Sequence, residues 1–397
     1  MKREMQGVME NNILRFWIDK MQDRENGGFY GRMDGRGELY PKAEKGAVLN
    51  ARILWSFSAA YRVLKNPEYL EMATYAKTYF MEHFLDKEYG GVYWSLDYQG
   101  NPLNTRKQFY AIGFAIYGMS EYVRATGDKE ALECALQLFD CIEQHALDPI
   151  YNGYIEATTR DWQPIADMRL SELDANYPKS QNTHLHIVEP YANLYRTLKD
   201  RFPHEDASRV ERALRNIINI FTEHILNPDT HHLDLFFEND WTRGAGHLES
   251  YGHDIECSWL MHEAALVLGD NEILAKMEPI VRMVAKASEK GLRPDGSMIH
   301  EANLDTGHMD DDLHWWVQAE NVVGWMNIYQ HFDDAEALQH AVRCWQYIKE
   351  NLIDDEHGEW YWSRRSDGTI NFEDDKAGFW KCPYHNSRMC LEMIERF

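Results

Sequence analysis

A chain of 397 residues with 44% apolar side chains can bury a large core, and its formal net charge of −24 argues against polyanionic partners, nucleic acid and anionic membrane alike. No apolar h-region opens it and no 18 apolar residues run together, so neither a signal peptide nor a membrane span is expected, and a cytoplasmic location is. Six cysteines (Cys134, Cys141, Cys257, Cys344, Cys382, Cys390) without a CxxC pair fit buried thiols in a reducing compartment, while 13 Trp, 22 Tyr and 16 Phe supply the flat rings that pack against sugars or fill a helical core.

In chain order, a short hairpin signal recurs: an acidic or amide residue, glycine, then aromatic-rich alternation. It stands at ENGGFYGRMDGRGELY (from Glu25), EYGGVYWSLDYQGNPL (Glu88), YNGYIEATTRDWQP (Tyr151), HHLDLFFENDW (His231), GLRPDGSMIHEANLDTG (Gly291) and EHGEWYWSRRSDGTINF (Glu356). The marker positions Gly28, Gly91, Gly153, His232, Ser297 and Gly358 are 61 to 65 residues apart, with one longer step of 79, which is a repeat architecture. Between hairpins lie pairs of helical stretches: 45–64 with 67–84, 106–126 with 129–145, 181–199 with 207–226, 249–268 with 272–289, and 313–331 with 335–352. An opening helix near 6–21 and a closing one near 379–395 bring the count to twelve. Six helix pairs predict a closed (α/α)6 barrel, one domain over residues 1–397, with short β-hairpins in the connections. The first helix of each pair is apolar nearly all round and the second carries charge, as in ASRVERALRNIINIFTEH, so the first set is expected inside.

The N-terminal ends of the inner helices bring polar and aromatic residues to one mouth: Arg52, Tyr110, Asn182, His184, His186, Glu189, His253, Glu256, Trp259, Trp315, Trp316, Glu320, Trp380 and His385. Many buried ionisable groups in one place cost several kcal/mol unless paired, so the set points to a site rather than to a row of satisfied core residues. No metal is expected. His184 and His186 sit at i and i+2, about 200° apart on a helix, HExxH is absent, and the acidic run Asp310–Asp312 is placed to cap a helix. GxSxG and glycine-rich phosphate loops are missing as well, so neither a nucleophilic serine nor a nucleotide cofactor is expected. What remains is His253 and His385 as a general acid/base pair near neutral pH, suited to moving a proton on and off a weakly acidic carbon such as C2 of an opened aldose. Arg52 would meet the oxyanion formed there, and Gly252 would let the backbone approach whatever His253 touches.

Through GAVLNARILWSF (46–57), NTHLHIVEPY (182–191), YGHDIECSWL (251–260), WWVQAENVVG (315–324) and GFWKCPYHNSRMCLE (378–392), the chain resembles the N-acylglucosamine 2-epimerase superfamily, and within it the disaccharide-acting cellobiose 2-epimerases. The resemblance implies reversible, cofactor-free epimerisation at C2 of the reducing-end sugar of a β-1,4-linked disaccharide (cellobiose, lactose or mannobiose). It gives His253 and His385 the acid/base roles, Arg52 the oxygens at C1 and C2, and His186 the opening of the ring. Glu256 would orient His253, Trp316 and Trp380 would stack on sugar, and Tyr110, Asp174, Asn182, Trp259, Trp315 and Glu320 would line the pocket. Pro190 departs from what the helix wants and predicts a kink. The alternatives are an aldose-ketose isomerase or an N-acylglucosamine 2-epimerase of the same superfamily, a glycoside hydrolase using Asp174, Glu256 and Glu320 on the same barrel, and a sugar-binding protein without turnover. The partner expected is a small disaccharide, and the assembly a monomer or weak homodimer.

Overall fold

The structure is a computed structural model that describes residues 1–397. It contains twelve helices in two concentric sets. The inner set is α2 (Ala47–Leu64), α4 (Phe109–Thr126), α6 (Gln181–Arg201), α8 (Tyr251–Leu268), α10 (Trp315–Phe332) and α12 (His385–Arg396). Each packs on the next, and α12 packs back on α2, so the ring closes. The outer set is α1 (Lys2–Val8, continuing through wide turns at Met9–Leu14 and Trp17–Met21), α3 (Pro67–Tyr79), α5 (Lys129–His145), α7 (Ser208–Ile220), α9 (Asn271–Ser288) and α11 (Ala335–Asn351). Five outer helices follow their inner partner in sequence, whereas α1 lies against α12, so the sixth pair joins the two halves of the chain. The architecture is the expected (α/α)6 barrel, and its apolar interior is one contiguous cluster.

Local chemistry explains the alternation. Most inner-to-outer turns consist of one residue in the left-handed region followed by an Asx cap. Lys65, Gly127, Gly269 and Asp333 have φ of 59°, 80°, 68° and 52°, and the side chains of Asn66, Asp128, Asp270 and Asp334 then accept first-turn N–H bonds of α3, α5, α9 and α11. Inner helices start differently. All but one have no side-chain cap, and five are entered from a two- or three-residue strand that pairs antiparallel with the next unit's hairpin: Lys45–Gly46 on Ser95–Leu96, Lys107–Gln108 on Ala157–Thr158, Lys179–Ser180 on Phe236–Phe237, Leu248–Ser250 on Glu301–Asn303, and Leu313–His314 on Ser363–Arg364.

Those strands are why the helices expected from 45, 106, 249 and 313 begin two or three residues later. The largest shift is in α12, which starts at His385 and not near Phe379. Pro383 disfavours helical backbone at Cys382 before it, and residues 378–384 instead cross the mouth as an irregular segment. The Asp310–Asp312 cap is also corrected: His314 occupies the N-cap of α10 without a side-chain bond, and Asp310 pairs with His300. Pro190 lies inside an uninterrupted α6. It offers no N–H to the His186 carbonyl four residues earlier, and Gly113 of α4 packs there so closely that a Cβ would come within 2.5 Å of that oxygen. No helix is long and apolar enough to cross a membrane.

Candidate active site

The hairpin end of the barrel holds a buried polar core centred on a residue that the sequence reading passed over. Arg388 lies one turn after His385 on α12, is 1% exposed in its side chain, and is shared by three glutamates. Its Nη1 donates to Glu189 Oε2 at 2.5 Å, and its Nη2 donates to Glu256 Oε1 at 2.6 Å and Glu320 Oε1 at 2.7 Å. Two of these carboxylates in turn hold histidines. His186 Nδ1 meets Glu189 Oε1 at 2.6 Å, and His385 Nδ1 meets Glu320 Oε1 at 2.7 Å. Tyr384 donates to Glu189 Oε2 at 2.5 Å, and the Trp259 indole donates to Glu320 Oε2 at 2.9 Å. One guanidinium thus fixes the carboxylates that orient two imidazoles, leaving Nε2 of each ring for other partners.

His253 is held otherwise than expected. Its Nδ1 meets the Ser250 hydroxyl at 2.8 Å, whereas Glu256 is bound by Arg388 and lies 3.9 Å from His385 Nδ1, so Ser250 orients His253. The Trp316 ring contacts both imidazoles, with its centroid 4.8 Å from that of His253 and 5.7 Å from that of His385. Gly252 serves this stacking: a Cβ there would meet Trp316 Cη2 at 2.7 Å. Arg52 donates to the Tyr110 hydroxyl at 2.8 Å, and its guanidinium stacks over Phe114 at 4.1 Å and Tyr384 at 4.8 Å, with no carboxylate bonded to it. Tyr110 in turn lies against His186 at 4.9 Å and Trp380 at 6.0 Å.

A cavity of about 490 Å³ opens beside His253, within the range of about 300–1,000 Å³ usual for small-molecule sites. Asp174, Asn182 and His253 line it, and Asn182 Oδ1 is buried there without a partner. Asp174 is held by the backbone N–H and hydroxyl of Ser171, both at 2.9 Å. Tyr110, Trp316 and Trp380, expected to meet the sugar, are not on the wall of this cavity, and two further tryptophans expected in the lining are elsewhere. Trp259 is fully buried beneath the core, under the Arg388 guanidinium at 4.8 Å. Trp315 turns into the wall, where it packs on Trp362 at 4.5 Å with Lys381 over its ring. Glu320 is likewise a support beneath His385. His184 belongs to the wall: Nδ1 bonds the Ser180 carbonyl at 2.6 Å and Nε2 accepts the Tyr154 N–H at 2.9 Å, facing away from His186 as the helix spacing requires.

Burial controls the protonation states. It drives His253 and His385 down to about 3, in His385 against the pull of Glu320, so both rest neutral. Burial works to raise Glu320, but Arg388 and His385 outweigh it and hold the carboxyl down to about 2. Glu256 goes the other way: burial and the neighbouring Glu320 raise it despite Arg388. Arg52 stays charged, since the surrounding Tyr110, Cys382, Tyr384 and Glu189 offset its burial. The site therefore offers neutral bases, one unpaired fixed cation and aromatic faces, an arrangement for proton transfer beside a developing oxyanion. Glu256 and Glu320 share one Arg388 nitrogen, so they do not face each other across open space as a hydrolase's two carboxylates must.

Comparison with known proteins gives this arrangement its class. The family model described as N-acylglucosamine 2-epimerase matches residues 28–388. The chain is 60% identical over 394 residues to a cellobiose 2-epimerase of Bacteroides fragilis, covering 99% of this chain and 98% of that protein. The solved cellobiose 2-epimerase of Bacillus thermoamylovorans superposes with a TM-score of 0.93 at 40% identity, over 100% of this chain and 99% of that one. An α-mannanase of glycoside hydrolase family 76 from Bacteroides thetaiotaomicron, at 14% identity and a TM-score of 0.63 over 99% of this chain and 93% of that one, shares the fold alone. The chain belongs to the N-acylglucosamine 2-epimerase family. It is an isomerase, and within that class a carbohydrate epimerase.

Proposed function

We propose that the protein interconverts β-1,4-linked disaccharides epimeric at C2 of the reducing-end residue, cellobiose being the first substrate to try. The observation that carries this reading is the pair of buried, neutral imidazoles, His253 and His385, both packed against Trp316 in a site that also holds Arg52. In the sequence we infer, His186, held by Glu189, assists opening of the pyranose, and Trp316 and Trp380 carry the sugar faces. One imidazole takes the C2 proton through Nε2. The electron pair moves to O1, and Arg52 with Tyr110 stabilises the enediolate. The second imidazole, which must enter the step as the imidazolium, returns its Nε2 proton to the opposite face, inverting C2, so the pair end with their protonation states exchanged and set for the reverse direction. Of the two, His385 is the better proton store, because Glu320 stabilises its imidazolium while His253 has only a hydroxyl. The similarity to cellobiose 2-epimerases over nearly the whole chain supports the substrate class.

Incubation of the chelator-treated protein with cellobiose and with mannobiose in D2O, followed by NMR, tests the proposal. The expected result is the C2 epimer with deuterium at C2. A ketose product would replace the reading by aldose-ketose isomerisation, and free monosaccharide, or no reaction with either sugar, would overturn it.

A further inference from the structure

Three side chains at the mouth take no part in the reaction above. His300 stands just before the strand Glu301–Asn303, Asp310 ends the strand His308–Asp310, and His314 lies on the strand leading into α10. The backbone places the first two opposite each other, through the His300 N–H to the Asp310 carbonyl at 3.1 Å. His300 Nδ1 is 2.7 Å from Asp310 Oδ2, and His314 Nε2 is 3.9 Å from the same oxygen. The imidazoles lie face to face, centroids 4.3 Å apart and planes within 13°, so a nitrogen of each is presented to one carboxylate. The three ligand atoms lie within 4.8 Å of one another, and all three residues are half-buried and line the cavity that contains His253.

We propose that His300, Asp310 and His314 form a binding site for a divalent transition-metal ion, of which zinc is the type, at the entrance to the active-site cavity. Two imidazoles and one carboxylate suit zinc and its first-row neighbours, whereas magnesium and calcium want oxygen ligands throughout. Zinc–nitrogen bonds of about 2.0–2.1 Å need the two rings to close on one point, and rotations about the side-chain bonds supply that movement. The carboxylate is free for the task. Its side-chain partners are the two histidines, and neither lysine nor arginine pairs with it. A second cluster of similar composition, Glu256, Glu320 and His385, makes the contrast clear, because there Arg388 bonds both glutamates and a built-in cation already takes the place of a metal. The entrance cluster has the anionic donor and the two nitrogens but no such residue.

A dication bound there would act on the chemistry through a short path. The His300 ring stands edge-on to Trp316 at 5.7 Å, and Trp316 stacks on His253. Added positive charge would oppose protonation of His253, and the metal with its water would narrow the approach to Asp174 and Asn182. The metal is therefore inhibitory, and this consequence rests on the epimerase reading whereas the binding itself does not.

The test titrates chelator-treated wild-type protein with zinc against a chromophoric zinc chelator, beside a His300→Ala/His314→Ala double variant and a shape-conserving Asp310→Asn variant. Wild type should retain one zinc equivalent that both variants bind at least ten-fold more weakly. Equal zinc affinity in all three would overturn the site. In a second arm, the rate of C2 deuteration in D2O is read with and without zinc: wild type should be slowed as the equivalent fills, and the double variant, whatever its own rate, should not respond. A wild-type rate unchanged at saturating zinc would overturn the inhibition. Absence of any turnover by metal-free wild type would instead count against the epimerase reading, and the titration would still decide the metal site.

Discussion

Two arcs of the ring hold their hairpins in different ways. In the arc of α12, α2, α4 and α6 a buried lysine clasps the acidic residue that opens each tight turn. Lys45 bonds Asp23, Lys107 bonds Asp86 and Lys179 bonds Asp148, each at 2.8 Å, and Lys376 does the same for Asp354. Three of these lysines also reach a turn carbonyl, of Gly27, Gly90 or Asn152. In the arc of α8 and α10 the clasp is gone. Asn227 and Arg293 open the two turns; Arg293 reaches Asp311, and His232 bonds Asp254 at 2.6 Å. The unclasped arc supplies His253 and the cluster His300, Asp310 and His314 to the cavity wall. The clasped connection into α6 lines the same cavity through Asp174 and Asn182, so the repeat fold varies its scaffold chemistry from unit to unit while the mouth stays a shared working surface.

Substitutions can sharpen or break that contrast. The largest effect is expected at the site: His253→Asn and His385→Asn should each lower the C2 exchange rate by about 10²–10⁴, with thermal melting close to wild type. Next comes the clasp. Lys45→Met leaves the Asp23 carboxylate buried with no cation, only turn N–H groups and the Asn26 amide, and loss of one partner of such a pair costs about 3–5 kcal/mol, read by denaturant unfolding. In the unclasped arc, His232→Gln should cost less, about 1–3 kcal/mol, since the glutamine amide can still donate a hydrogen bond to Asp254. If Lys45→Met were the milder of the two, the clasps would not be what holds that arc.

The smallest effect is in pH. Burial holds His253 down to about 3, His262 to about 4 and His314 to about 3, all on α8 or leading into α10. A histidine with a depressed folded pKa binds its proton more readily when unfolded, so its stabilising contribution is complete above about pH 6.5 and falls as pH drops toward the folded value. Hydrogen exchange at pH 5 should therefore show α8 and α10 loosening before α2 and α4, after correction for intrinsic rates. Equal protection of these two helix pairs would contradict this; α6 and α12, which carry His184 and His385 with the same downward shift, should loosen with α8 and α10.

Much of this was legible in the residues, and the part that was not has physical reasons. The sixfold period shows because each hairpin needs positive φ near one position, as at Gly28 with 66° and Gly91 with 71°. The inner set shows because a helix buried on every side carries few charges. Side-chain direction was harder to read. Trp315 and Trp316 are neighbours on α10, yet one packs on Trp362 in the wall and the other on His253 and His385, because successive helical residues point about 100° apart and composition does not fix the rotation of the helix. Arg388 escaped notice since its partners come from α6, α8 and α10, far apart in sequence, although its place one turn after His385 was a usable sign. The pairing of His253 with Ser250 was hidden by Glu256, an equally good partner by spacing. The entrance cluster gathers residues from two short strands and the step before a third, whose register no periodicity announces.

The arrangement of α1 and α12 has a temporal consequence. The helix that carries His385 and Arg388 is synthesised after the other eleven, and until it docks, Glu189, Glu256 and Glu320 face one another without their shared cation. A growing chain thus holds an incomplete ring whose centre repels itself, and closing the barrel and switching on its chemistry become one event.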